Sequence, residues 1–181
     1  QELPYLFART PGVVAWSENG LGTGTVYMRM RGSAGSRVNV TIDGISLNSP
    51  EDQCVFWANM NSYASLLGSV QIQRGVGSSS NGDGAFGGSI AMQTKLPQMD
   101  PMLEVTGSYG SYNTWRAGGQ FSTGLLGKHW VVDGAYHQTQ TDGYLHGTYG
   151  KSGSYTAGVA WLSEDSRLVL KYRNLGNFES T

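Results

Sequence analysis

Beyond Pro97 the chain alternates apolar and polar side chains residue by residue. This period of two is its most constraining feature, because a β-strand is the regular structure that places successive side chains on opposite faces. Leu103, Val105, Gly107 and Tyr109 alternate with Glu104, Thr106 and Ser108. Trp115, Ala117, Gly119, Phe121, Thr123 and Leu125 alternate with Arg116, Gly118, Gln120, Ser122 and Gly124, a run long enough to cross a bilayer core when tilted. Trp130 to Tyr136 and Tyr155 to Trp161 repeat the pattern, and a fifth strand sets Leu168, Leu170 and Tyr172 against Arg167, Lys171 and Arg173. No apolar run reaches the roughly eighteen residues of a membrane helix, so a closed barrel is the remaining way to span a bilayer.

A soluble sandwich and a barrel wall both produce alternation, and the positions of the aromatic residues decide between them. Trp130 and Trp161 lie beside the short turns Gly124 to Lys128 and Ser163 to Ser166, whereas Tyr109, Trp115, Tyr136 and Tyr155 are expected at the opposite strand ends. Two aromatic belts one apolar band apart are what two membrane interfaces select. The stretch Thr139 to Gly153 reads as a long polar outer loop, and the two short turns read as periplasmic. Gly110 to Asn113 is an outer connection shorter than that rule expects.

Before Lys95-Leu96-Pro97 the chain reads differently, which divides it into units 1–95 and 96–181. Leu3 to Arg9 is expected as a short helix stopped by Pro11-Gly12, followed by a strand at Val13 to Trp16. Tyr27 to Arg31 and Val38 to Ile42 are strands, the latter closed by the Asp43-Gly44 turn. Tyr63 to Leu67 is helix-like. Val70 to Gln73 and Ser89 to Thr94 are strands flanking a Gly/Ser-rich stretch from Gly75 to Gly88. The first unit is therefore α+β and the second all-β and antiparallel.

Several function classes fall away. Gly at 27 of 181 residues and only 14% charged residues suit turns and strands that partly face something less polar than water. A net charge of -1 and a pI near 6.3 supply no basic stripe for nucleic acid. Cys54 stands alone and reads as a small part-buried hydrophobe. Gly75 to Gly84 lacks the Gly-Lys-Ser/Thr ending of a phosphate loop, so its small residues are better explained by close backbone approach. His129, His137 and His146 have no ligand spacing, and Ser78, Ser79 and Ser80 have no base beside them. An enzyme is the weakest class, and no metal or cofactor is implied.

Five blocks then stand out in order: Leu3-Pro-Tyr-Leu through Thr10-Pro-Gly-Val-Val14; Tyr27-Met-Arg-Met-Arg-Gly32; Arg37-Val-Asn-Val-Thr-Ile-Asp-Gly44; Ser69-Val-Gln-Ile-Gln-Arg-Gly75; and Gly84-Ala-Phe-Gly-Gly-Ser-Ile90. Together they resemble the plug of TonB-dependent outer-membrane receptors, with a closeness that looks like Bacteroidetes receptors in particular. Gly107-Ser-Tyr-Gly-Ser-Tyr-Asn113 is similar to the family's first barrel hairpin.

The resemblance implies an α+β plug domain followed by antiparallel transmembrane β-barrel strands, in a barrel of about 22 strands of which roughly five fall in this chain. A TonB-contacting segment is expected ahead of the plug, and Gln1-Glu2 is all that precedes the first plug helix here. The implied function is import of a scarce substrate (siderophore or other iron source, haem, cobalamin or glycan) from the outer face to the periplasm. Its implied partners are TonB, outer-membrane lipid, the small-molecule, metal-chelate or glycan substrate and, for a glycan, a surface lipoprotein. The alternatives are a ligand-sensing barrel without import and a soluble β-sandwich adhesin.

By residue, Arg31 and Arg74 occupy the plug's two Arg-Gly motifs. In the family such arginines latch the plug to carboxylates on the barrel wall, expected here to lie past Thr181. A guanidinium suits that task because its planar fork pairs a carboxylate bidentately. The competing reading makes these arginines solvated strand ends. Plug loops that reach the outer side correspond to Ser33 to Ser36 and Ile45 to Phe56. Asn48, Asp52, Gln53 and Trp57 are the candidates to meet substrate, by hydrogen bonds and a stacking face.

Overall fold

The computed structural model describes residues 3–18, 25–60, 63–75, 85–144, 146–164 and 168–180. The chain separates into two compact units, Gln1–Lys95 and Leu96–Thr181. Residues 76–84 of the Gly/Ser-rich stretch, with Ser78, Ser79 and Ser80, lie outside the described residues, as do Gln1, Glu2, Arg167 and part of the turn at 163–166.

In the first unit helix α1 spans Leu3–Phe7. It stops short of Arg9 because the i→i−4 bond of Ala8 to Pro4 gives way to i→i−3 bonds from Arg9 to Leu6 and Thr10 to Phe7. Strands β1 (Val13–Ser17) and β2 (Val26–Met30) form an antiparallel pair. Along β2 the residues alternate, with Val26, Met28 and Met30 buried and Tyr27 and Arg29 exposed. A second sheet has the order β4-β3-β6-β5, built from β3 (Val38–Ile42), β4 (Ile45–Ser46), β5 (Leu67–Arg74) and β6 (Gly88–Thr94). Strand β3 runs parallel to β6, and the other pairs are antiparallel. The helix-like stretch at Tyr63 is a 3-10 turn over Tyr63–Ser65, since Leu67 is already paired with Thr94 at the start of β5. Leu3, Phe7, Met28, Met30, Val38, Val40, Trp57, Ile90 and Met92 belong to one core, which joins the helix to both sheets.

The second unit is an antiparallel meander, ordered β11-β10-β9-β8-β7. Its strands are β7 (Met102–Gly110), β8 (Thr114–Ser122), β9 (Trp130–Thr141), β10 (Gly150–Leu162) and β11 (Val169–Ser180). Strand β8 ends before Thr123, whose backbone N–H and hydroxyl both turn to Val132 O. The expected long loop at Thr139 to Gly153 is shorter: Thr139 pairs with Ser152, Gln140 with Lys151 and Thr141 with Gly150, which leaves 142–149 as the connection. Polar side chains there had disguised strand as loop.

Candidate functional site

The plug-type unit carries its exposed functional candidates on the segment after the Asp43-Gly44 turn. Asp43 holds a left-handed backbone at φ 48°, and its carboxylate accepts hydrogen bonds from Thr94 N at 2.9 Å and Thr94 Oγ1 at 2.6 Å. The turn is thereby clamped to the end of β6. Asn48 comes next and works as a substitute for backbone. Its Oδ1 accepts from Val40 N at 2.8 Å, while its Nδ2 donates to Val38 O at 2.9 Å and Gln53 O at 2.7 Å. The side-chain amide continues the β4 edge of the sheet after the strand itself has turned away.

Asp52 Oδ1 accepts from Cys54 N at 2.9 Å, and Gln53 adopts φ 59° with its N–H on Ser49 O. Cys54 O in turn accepts from Ser49 N, so the loop closes on itself. Trp57 is 5% exposed and sets its ring edge-on to Phe7, with centroids 5.8 Å apart. These contacts bear on two of the substrate-facing expectations. Asn48 has its polar atoms committed to the fold, and Trp57 is core packing, because a large aromatic next to Phe7, Val26 and Met28 is worth more buried than displayed. Asp52 and Gln53 remain exposed.

Beside this loop lies a cleft of about 430 Å³ whose walls include Trp16, Tyr27, Arg29, Asp52, Cys54 and Phe56. Trp16 stacks on Tyr27 with centroids 5.6 Å apart, and Arg29 lies 5.7 Å over the Trp16 ring. Phe56 is 62% exposed. Tyr27 Oη donates to Glu18 Oε1 at 2.7 Å, and this hydrogen bond, with smaller contributions from desolvation and the Glu18 charge, holds the phenol above its ordinary range. Burial and, less strongly, the Asp52 carboxylate push the Cys54 thiol up. Trp16, Tyr27, Arg29 and Phe56 escaped the sequence reading. The outward phase of β2 was the available signal for Tyr27 and Arg29.

Arg31 and Arg74 converge within this unit. Arg31 sits just after β2 at φ 50° and its N–H donates to Gly12 O at 2.7 Å, while Arg74 Nη1 donates to Pro11 O at 2.9 Å. A Cβ on Gly75 would lie 3.1 Å from Arg31 Nη1, so one guanidinium passes over the residue that follows the other arginine. Both arginines are exposed, and neither forms an ion pair with a described residue.

In the second unit, register sorts the side chains cleanly. Trp130 pairs with Trp161, Val132 with Val159, Gly134 with Ala157 and Tyr136 with Tyr155. Leu103 and Phe121, Val105 and Gly119, and Tyr109 and Trp115 are partners on the same face. That face is apolar and open, with Leu103 78% exposed. Three of its glycines lie under rings: Gly134 under Phe121, Gly153 under Phe178 and Gly176 under Tyr155. The opposite face carries Glu104, Gln120, Asp133, His137, Thr156 and Arg173. There Gln120 hydrogen-bonds Glu104, and Arg173 pairs with Asp133. Tyr136 and Tyr155 stand in mid-strand and not at strand ends, because β9 and β10 run past them to Thr141 and Gly150. Tyr109 and Trp115 do stand at strand ends.

An α+β unit followed by an antiparallel meander with one apolar and one polar face resembles the start of a plugged outer-membrane β-barrel. Residues 1–89 match the family model described as TonB-dependent Receptor Plug Domain, which locates the chain in the outer membrane. No protein of curated function matches the chain in sequence. Among solved structures it is similar to the pyoverdine receptor FpvA of Pseudomonas aeruginosa, with TM-score 0.75 and 18% identity over 97% of this chain and 25% of that one. It is also similar to the copper transporter OprC, with TM-score 0.78 and 14% identity over 98% of this chain and 28% of that one. The ferric yersiniabactin uptake receptor FyuA of Yersinia pestis gives TM-score 0.70 and 14% identity over 96% and 28%. These likenesses establish the fold. The chain spans about a quarter of each of these structures.

Proposed function

We propose that this chain is the plug and leading wall of a receptor that binds a scarce metal chelate at the outer face and passes it to the periplasm when TonB displaces the plug. The observation that carries the reading is the joining of a plug-matching unit to strands with an aromatic-rich apolar face and a polar face. An exposed sheet face of that size is intolerable in water and expected against lipid. From Trp130 to Gln140, the register partner of Trp115, is ten residues of β9. At roughly 3.3 Å per residue and a barrel tilt, this run spans about 25 Å from the aromatic row of Trp130 and Trp161 to that of Tyr109 and Trp115, the separation expected of two belts flanking an outer-membrane apolar band. The connections 111–113 and 142–149 then lie on the outer side.

Arg31 and Arg74 act as latches in this reading. Their support is exposure, proximity across Gly75 and freedom from ion pairs with described residues. The plug's cargo-facing surface in this reading is the cleft lined by Arg29, Asp52, Phe56 and Trp57, with Asn48 turned to the fold. A metal chelate is favoured over haem, cobalamin or glycan because FpvA, OprC and FyuA are named for a pyoverdine, copper and ferric yersiniabactin. The block resemblance makes a Bacteroidetes source our reading of origin.

Uptake of radiolabelled ferric siderophores by cells carrying the full-length receptor, with and without TonB, tests the proposal. Accumulation only with both supports import. Surface binding in both strains with uptake in neither would establish the sensing alternative.

A further inference from the structure

The apolar face of the second unit carries an amide in mid-span, and import makes no use of it. Asn174 pairs with Ala157, Ala157 with Gly134, Gly134 with Phe121 and Phe121 with Leu103. Register partners share a face, so Asn174 stands on the apolar side together with Leu170, Tyr172 and Phe178 of its own strand. Along β11 it lies four residues from Leu170, the partner of Trp161, and six from Ser180, which ends the row that reaches Trp115 and Tyr109. The amide therefore falls between the two aromatic rows, about 13 Å along the strand from the first.

Hydrocarbon offers such a group nothing to bond, and an unpaired amide there is costly. Asn174 is exposed, and its side chain makes no hydrogen bond with a described residue. The hydroxyl one row away, Tyr155 Oη, does not serve it. That ring is carried over Gly176, where a Cβ would run into both the ring and its hydroxyl.

The surface beside Asn174 is low. Gly134 and Gly176 have no side chain, Ala157 has a methyl, and the rings that cover the two glycines, Phe121 and Tyr155, lie across the strands. In lipid, small residues let two protein surfaces approach closely, and association is driven by packing and by hydrogen bonds between buried polar side chains. A carboxamide is also its own complement, since Oδ1 accepts what Nδ2 donates. A two-fold axis along the membrane normal keeps depth unchanged, so it sets Asn174 of one copy opposite Asn174 of the next and lets the two amides exchange a pair of hydrogen bonds.

We propose that two copies of the receptor associate wall to wall in the membrane, with their Asn174 amides paired across a two-fold axis and Ala157, Tyr155 and Tyr172 packed around them. The inference rests on the lipid-facing reading given under Proposed function, since in water the same amide would be satisfied by solvent.

The test uses full-length receptor carrying amine-linked donor and acceptor dyes, reconstituted in phospholipid vesicles over a range of protein-to-lipid ratios, with energy transfer reporting association. Wild type, Asn174→Leu and, at the far end of the same row, Leu103→Ala are compared, and heat-modified gel migration verifies folding. The expected result is a two-body equilibrium in wild type, weakened about tenfold in Asn174→Leu by the loss of two amide hydrogen bonds and unchanged in Leu103→Ala. In a Cys54→Ser background, Asn174→Cys should cross-link to a second copy on oxidation and Leu103→Cys should not. Wild type that stays monomeric at every ratio overturns the proposal, as does association that Asn174→Leu leaves unchanged or that Leu103→Ala weakens equally. Lower urea stability of Asn174→Leu with association unchanged overturns it too and gives the amide to a neighbouring strand past Thr181. The lipid-facing reading is judged separately: native receptor released from outer membranes without detergent ends that reading, whereas a monomer that needs detergent ends the pairing alone.

Discussion

Asp133 and Arg173 meet across β10, where Arg173 Nη2 donates to the two carboxylate oxygens at 3.2 and 3.1 Å above Gly158, the register partner of both. A Cβ on Gly158 would lie 2.9 Å from each of those oxygens. The glycine is there so that two strands on either side of it can share an ion pair on the polar face.

Gly158→Val is therefore expected to break the pair and destabilise the folded barrel of the full-length receptor by about 1–2 kcal/mol, the range for a charge-assisted hydrogen bond that is partly shielded. Gly119→Ala is the matched control, because its Cβ would meet Glu104 O at an ordinary 3.6 Å. Urea titration followed by heat-modified gel migration measures both. Equal stability of the two variants would mean that the pair contributes nothing.

Asn48→Ala leaves Val40 N–H and the carbonyls of Val38 and Gln53 without their partner. A loss of about 2 kcal/mol in plug stability follows from stranding part-buried backbone groups. Hydrogen exchange should show the Val40 amide losing protection, with substrate affinity little changed. Weakened affinity with Val40 still protected would return Asn48 to the substrate surface.

Strand phase was legible in the sequence because alternation reports burial directly. Val38–Ile42 emerges with the expected bounds, and the apolar residues of β7 to β10 share a face as their spacing requires. Strand length was harder to read. Gln138, Gln140, Lys151 and Gly153 look like loop in composition, yet they belong to ladders, since backbone pairing continues where side chains have left the apolar band. Glycine was misleading for a related reason. Gly134, Gly153 and Gly176 lie inside strands, where a cross-strand ring replaces the missing side chain, and a partner ring on the neighbouring strand is invisible to a local reading. The candidate site was legible only as a segment. Residue type alone does not tell that Asn48 will bond backbone, or that Trp57 will pack on Phe7 in the wall of a cleft that Arg29 and Phe56 also line.

Trp57 and Phe56 are neighbours with opposite fates, which makes them a sharp pair. Trp57→Ala is expected to cost about 3–5 kcal/mol through lost burial and the cavity left against Phe7, whereas Phe56→Ala stays within about 0.5 kcal/mol. Thermal melting of the plug, followed by protease susceptibility in the full-length receptor, separates them. A larger effect at Phe56 would show that its exposed ring is covered in the complete barrel.

Cys54 offers a chemical readout of the cleft, since it forms part of the cleft wall and its thiol is held up first by burial and second by the Asp52 carboxylate. A raised pKa lowers the thiolate fraction near neutral pH, so alkylation of Cys54 should run slower than that of an ordinary thiol and reach its plateau at higher pH. Asp52→Asn removes only the lesser cause, because the side-chain Oδ1 that accepts from Cys54 N survives. The pH profile should then move down part of the way, with a rate gain of about twofold at pH 8. Mass-spectrometric counting of iodoacetamide adducts on the Cys54 peptide measures it, and an unmoved profile would show that the carboxylate does not act through its charge. The same assay bears on function. A metal chelate seated between Arg29 and Phe56 blocks the path to Cys54 and slows alkylation of wild type and Asp52→Asn alike, whereas an unchanged rate at saturating chelate places the cargo outside this cleft.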